Sequence, residues 1–317
     1  MKRRALVVGL LALPLGTLAQ TREKLAKIGV LSWTAPTPGF QQALRRGLQQ
    51  YGYTEGKNLL IDWRSADASV SRAESLAAEL VASKVDVLVA ALTPAVQAAK
   101  KATRTVPIVM AYAGDPVAAG LVKSLARPEA NVTGISATSA EISGKRIELL
   151  RELMPHMARL GLLINGADAF AKPFVEENRA ACRTAGVALD VIDVRSRQDF
   201  DGALARLKKA HVRAVIVQGS VPVPGWPPLA LEQGLAGVGM QKSHVDAGAL
   251  LFFGADTDAL TVRAAGYIDR ILKGAKPGDL PIEQPTRMEL IINRRTAKAL
   301  GVPLPPAFVV RADSVID

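Results

Sequence analysis

The sequence predicts an α/β chain folded as two lobes, each a doubly wound parallel sheet. Three observations carry that expectation. Short apolar runs alternate with amphipathic helical segments from residue 27 to the end, the order that builds right-handed βαβ units. The alternation restarts near residue 138, so two arrays of similar length stand in tandem. The chain of 317 residues is about twice the size of one ordinary domain, enough for two cores without disulfide or metal staples.

The first array opens with residues 27–32 (KIGVLS), apolar on both faces like a strand covered from two sides. Phe40, Ala43, Leu44, Leu48 and Tyr51 then recur at helical spacing, and Gly52 ends that helix. Residues 59–63 read as the second strand. Leu76, Ala77, Leu80 and Val81 share one face of a helix over 71–83, and 85–91 (VDVLVAA) is again a buried strand. A short helix starts at Pro94, residues 108–112 form a strand, 116–126 a helix, and 131–135 close the lobe. In the second array Thr138 and Glu141 have capping-box spacing ahead of a helix through Leu153. Residues 160–164 (LGLLI) echo the first strand, followed by helix 173–185, strand 188–194, helix 198–210 and strand 214–217. Further strands are expected at 238–240 and 249–253. From about residue 258 a long helix at 260–273, a strand at 289–292, a short helix and a Pro-rich stretch return to cover both lobes.

Residues 1–19 have the make-up of a secretory signal: Lys2, Arg3 and Arg4, an apolar stretch over 5–18, and small residues up to Ala19. The apolar stretch is shorter than the roughly 20 residues of a membrane span. Export to the periplasm is the expectation, with a mature chain that starts at Gln20. Loss of that segment lowers the 40 Lys and Arg to 37 against 29 Asp and Glu, so the net charge falls from +11 to +8. The basic residues are spread along helices and interleaved with acids, which fits solubility better than a nucleic-acid footprint.

Composition and motifs exclude several kinds of chemistry. One cysteine, Cys182, permits no internal disulfide, and His156, His211 and His244 lack metal-ligand spacing. Aromatic residues make up 4%, too few for a carbohydrate or single-strand stacking surface. There is no GxSxG elbow, no P-loop around Gly144-Lys145, and Gly237-Val-Gly239 lacks the third glycine of a dinucleotide loop. What remains is a row of strand ends followed by helix starts, the rim where open parallel sheets bind ligands. Thr93-Pro94 and Asp115-Pro116 lie on that rim. Helix amides after Thr93 suit a carboxylate, and the Asp115 carboxylate suits an ammonium, the two ends of an α-amino acid. Each pair reads equally as an N-cap followed by proline at the first helical position.

These residues also carry a family resemblance. Thr93-Pro94-Ala95, Gly114-Asp115-Pro116, Ala126-Arg127-Pro128 with Asn131-Val132-Thr133-Gly134, and Ser143-Gly144-Lys145-Arg146 occur in order. So do residues 267–277 (YIDRILKGAKP), Leu280-Pro281, Glu283-Gln284-Pro285, Asn293, residues 296–301 (TAKALG) and Arg311-Ala312-Asp313. Together they resemble the substrate-binding proteins of bacterial ABC transporters of the tryptophan/tyrosine type, over nearly the whole chain from residue 27. The resemblance implies the type I periplasmic-binding-protein fold, with lobes joined by crossing strands. It implies a first lobe of residues 27–137 plus about 258–290 and a second of 138–257 plus about 291–317. The implied pocket is Ser32, Trp33, Thr93, Asp115, Thr138, Asn165, Ser220, Phe253 and Asp256. Trp33 reads equally as a loop residue packed on its own lobe, Asn165 as a strand-end turn residue, and Asp256 as a helix N-cap. The chain departs from the family in the proline-rich run 221–228 (VPVPGWPP) and in Phe253, where tyrosine is common. The function implied is capture of a small molecule, such as an aromatic or aliphatic amino acid, for an inner-membrane ABC permease. No cofactor, metal or catalytic residue is implied, and the protein is expected to be a periplasmic monomer. A ligand-sensing module for a membrane receptor is the alternative, and a secreted hydrolase a more distant one.

Overall fold

The computed structural model describes residues 25–138 and 142–317. The expected signal segment and residues 139–141, which include Glu141 of the expected capping box, lie outside the described residues. Strands β1 (Ala26–Ser32), β2 (Leu59–Ser65), β3 (Val87–Ala91), β4 (Ile108–Ala113) and β5 (Val132–Ser136) form a parallel sheet in the order β2-β1-β3-β4-β5. Helices α1 (Pro38–Gln50), α2 (Val70–Ala82) and α3 (Thr93–Ala102) alternate with the first of these strands. The continuous apolar runs of β3 and β4 are buried throughout, as expected for strands covered on both faces.

The second sheet holds β6 (Arg159–Ile164), β7 (Ala188–Asp193), β8 (Ala214–Val217), β9 (Ala236–Gly239), β10 (Leu251–Gly254), β11 (Glu289–Asn293) and β12 (Ser314–Ile316). Its order is β12-β11-β10-β9-β8-β6-β7, parallel except where β11 runs against β10. Its helices are α4 (Ile142–Leu153), α5 (Ala171–Thr184), α6 (Arg197–Lys209), α7 (Trp226–Glu232), α8 (Lys242–Asp246), α10 (Arg294–Ala299) and α11 (Pro306–Val309). The antiparallel strand follows from the path of the chain. After β10 it crosses to the first sheet as α9 (Thr257–Leu272), then pairs Glu283 with Ile135 beside β5, and re-enters the second sheet from the cleft side. Helix α9 lies against α1 so closely that a Cβ on Gly47 would sit 2.7 Å from the Val262 carbonyl oxygen. Each sheet has an apolar cluster on both faces, the mark of a three-layer lobe.

Two local expectations are corrected. Segment 116–126 is not a helix. The Gly120 and Leu121 carbonyls are taken by Lys100 Nζ at 2.9 and 2.7 Å, and Gly120 turns the chain at φ +68°. Thr93 does not cap α3; it is the first helical residue, and the capping position belongs to Leu92. The proline-rich run 221–228 leads into α7, with Pro227 and Pro228 in the first turn, where a missing N–H costs nothing.

His244 on α8 packs edge-on to Trp226 at 5.3 Å, and its Nδ1 accepts the Met240 amide at 3.2 Å. Burial pushes the imidazole pKa down to about 4. The unfolded chain therefore binds the extra proton first, and folding stability falls as pH drops from about 6.5 toward 4. Thermal melts across that window should show a decline that His244→Gln reduces; an unchanged slope would contradict the assignment.

Candidate functional site

The carboxyl ends of both sheets face each other across a cavity of about 90 Å³. One wall comes from the first sheet: Leu92, Thr93, Tyr112 and Gly114. The other comes from the second: Arg146, Asp168, Phe170, Phe174, Gln218 and Ser220. The lobes touch around it. Trp33 Nε1 donates to the Ser220 carbonyl at 2.8 Å, and the Ala169 amide donates to Gln97 Oε1 at 3.3 Å. Phe170 lies so close to Gly114 that a Cβ there would meet its ring at 2.4 Å.

Backbone strain marks the first wall. Leu92 sits at φ 71°, ψ 149°, a conformation close to one that glycine nearly alone adopts, at a cost on the order of 1–3 kcal/mol. Its amide is held by the Tyr112 carbonyl at 2.9 Å, while its own carbonyl accepts from Ala95 and Val96 in the first turn of α3. The strain thus sets the N-terminus of a ten-residue helix, with its positive dipole end, at the cavity.

The second wall carries two buried charges. Arg146, 7% exposed, is carried by α4 and fixed by Nε donation to the Phe253 carbonyl at 2.8 Å. Burial lowers its pKa to about 10, and the nearby charge of Glu177 opposes that shift. Among the described residues no carboxylate lies within ion-pair distance of it. Asp168, 5% exposed, follows β6. Its Oδ2 accepts from Ser220 Oγ at 2.5 Å and Gln218 Nε2 at 3.0 Å, and its Oδ1 from the Phe170 amide at 2.9 Å. Burial raises its pKa, and the bonds from Ser220 and the Phe170 amide pull it back. Among the described residues it too has no ion-pair partner.

The expected pocket residues divide on inspection. Thr93, Thr138 and Ser220 line the cavity, and Thr93 Oγ1 accepts the Gly114 amide at 3.1 Å. Ser32 ends β1 with a buried hydroxyl that has no partner among the described residues, and Trp33 is 1% exposed within the first lobe's core, its indole N–H committed to Ser220. Asn165 supports the second wall, its Nδ2 donating to the Ser220 carbonyl at 3.1 Å. Phe253 contributes the carbonyl that orients Arg146. Asp256 caps α9 through the Asp258 and Ala259 amides. Asp115 lies outside the cavity lining; its Oδ1 accepts the Val117 and Ala118 amides at 2.8 and 3.0 Å. Asp115→Asn keeps an oxygen for those amides, so ligand affinity should change less than about 3-fold and stability by about 0.5 kcal/mol or less. A larger loss of affinity in calorimetry would return this carboxylate to the binding site.

Sequence reasoning missed Arg146 and Asp168. Arg146 lies in the quoted Ser143–Arg146 motif, at the helix position where Ile142, Ile147 and Leu150 mark the buried face. A cation on that face was the available signal. Nothing in the sequence singles out Asp168, since its burial depends on Gln218 and Ser220 from another strand end.

Comparison with known proteins adds three findings. Residues 37–316 match the family model described as ABC transporter substrate binding protein. A tyrosine-binding protein of Clostridioides difficile is 31% identical over 263 residues, 81% of this chain and 75% of the relative. Among solved structures, a conserved domain protein from Vibrio cholerae is 31% identical with a TM-score of 0.86, covering 92% of this chain and 100% of that one. The ABC domain in complex with L-Trp from Streptococcus pneumonia is 28% identical with a TM-score of 0.85, covering 92% and 99%.

Proposed function

Since this chain belongs to the ABC transporter substrate-binding protein family and captures a solute, we propose that the solute is an α-amino acid, held between the lobes and handed to a membrane permease. One observation carries the choice of ligand. A buried guanidinium and a buried carboxylate face one cavity, and neither has a counter-ion among the described residues. Isolated buried charges are costly, so a zwitterion that satisfies both is the complementary guest. Arg146 and the N-terminus of α3 receive the α-carboxylate, Asp168 receives the ammonium, and Phe170, Phe174 and Leu92 enclose the carbon skeleton. Thr93, Thr138 and Ser220 complete the polar contacts, while Trp33 and Asn165 hold Ser220 in place.

The mechanism is a population shift. Contacts from both lobes to one ligand favour the closed form, since only differential affinity moves such an equilibrium. The Trp33–Ser220 and Gln97–Ala169 bonds belong to the closed arrangement. Catalysis plays no part in this reading. The protein acts outside the cytoplasm as a monomer, after loss of residues 1–19, and its first lobe comprises residues 27–137 and about 258–290. Among the described residues no helix is long and apolar enough to cross a membrane. Native mass spectrometry of the purified protein should reveal a co-purified amino acid, released unaltered on denaturation. A chemically converted product in a ligand turnover assay would move the protein to the enzymes.

A further inference from the structure

A second chamber, of about 290 Å³, opens along the same cleft and shares Tyr112, Gln241 and Thr257 with the cavity described above. Its character differs. Asp246, Asp256 and Asp258 line it with Lys242 as the one basic lining residue among those described. Lys242 is already engaged, by Glu289 at 3.0 Å and Asp256 at 3.5 Å. Asp258, in the first turn of α9, has no cation within ion-pair distance among the described residues. Burial and the charge of Asp256 raise its pKa, while Arg46 and Lys242 pull it down from longer range.

Tyr112 supplies an independent observation. It is 9% exposed, packs edge-on to Phe40 at 5.8 Å, and lines both chambers. Its hydroxyl has no hydrogen-bond partner among the described residues, though it feels the Asp258 charge. The hydroxyl is not fully enclosed: it belongs to a residue that lines both chambers, so it is free to bond a ligand there.

We propose that this second chamber is a subsite for a positively charged nitrogen at the far end of the ligand's side chain, which makes the captured amino acid a basic one. The inference rests on the amino-acid reading above. With the zwitterion between Arg146 and Asp168, an aliphatic stem runs past Leu92 and Met240 and carries its charged tip to Asp258 and the Tyr112 oxygen. A neutral side chain of equal length leaves that carboxylate and phenol dehydrated without a partner.

The test is calorimetry on the full mature chain, stripped of bound ligand, with lysine against norleucine and arginine against citrulline, and with tyrosine and tryptophan alongside. The basic member of each pair should bind at least about 10-fold tighter than its neutral match, the effect of one charge-assisted bond. Asp258→Asn should bring the ratio to about 3-fold or less, and Tyr112→Phe, which removes only the unpaired oxygen, should lower it part of the way. Norleucine, citrulline or an aromatic amino acid binding as tightly as lysine and arginine would overturn the subsite while leaving the amino-acid reading intact. So would a ratio that neither substitution alters. If no amino acid binds at all, both proposals fall together.

Discussion

Arg146→Met should reduce amino-acid affinity by roughly 30-fold or more, the effect of losing a dehydrated charge partner worth about 2–5 kcal/mol. The substitution keeps the length of an apolar stem and removes the guanidinium that α4 carries into the cavity. Ligand-free stability should change far less, because the buried cation is itself costly in the empty site. Among the described residues, the hydrogen bond lost is that from Nε to the Phe253 carbonyl. Calorimetry and thermal melts on the same preparations separate the two effects. Affinity within about 3-fold of the parent would remove Arg146 from the binding site.

Asp168→Asn should cost a similar factor in affinity but behave differently in stability. The carboxylate accepts from Ser220, Gln218 and the Phe170 amide, and an amide group cannot accept from all three. Gln218 cannot simply reverse, because its Oε1 already holds the Asn165 amide at 2.9 Å. A stability loss of about 1–3 kcal/mol is expected alongside roughly 30-fold weaker binding. Binding should also weaken on acidification, since an ammonium needs the ionised form and burial has raised the pKa of this group. A pH-independent affinity in the mildly acid range, with the variant binding like the parent, would reassign Asp168 to a structural role.

The contrast between these two residues and Asp115 explains how far the sequence could be read. Strands such as 27–32 and 85–91 are legible because burial on both faces demands continuous apolar runs, and the restart at residue 138 is legible because the period of the pattern repeats. Segment 116–126 misleads because Pro116 and the apolar residues beyond it suit a helix, while Lys100 from a neighbouring helix takes the carbonyls instead. Thr93, Thr138 and Ser220 were legible as strand-end residues, and all three line the cavity. The charges facing the cavity were not, because which acid points inward depends on tertiary partners. Asp115 and Asp168 both follow a strand of their sheet; one spends its oxygens on a turn, and the other is drawn under Ser220 and Gln218.

The central claim is that both ends of a zwitterion are recognised together. It is tested most directly by calorimetry with the tightest-binding amino acid, its decarboxylated amine and its deaminated acid, all on ligand-stripped protein. The amino acid should bind at least about 30-fold tighter than either half-molecule, because each half leaves one buried charge without its partner. An amine or an acid that binds as tightly as the parent amino acid would contradict the account.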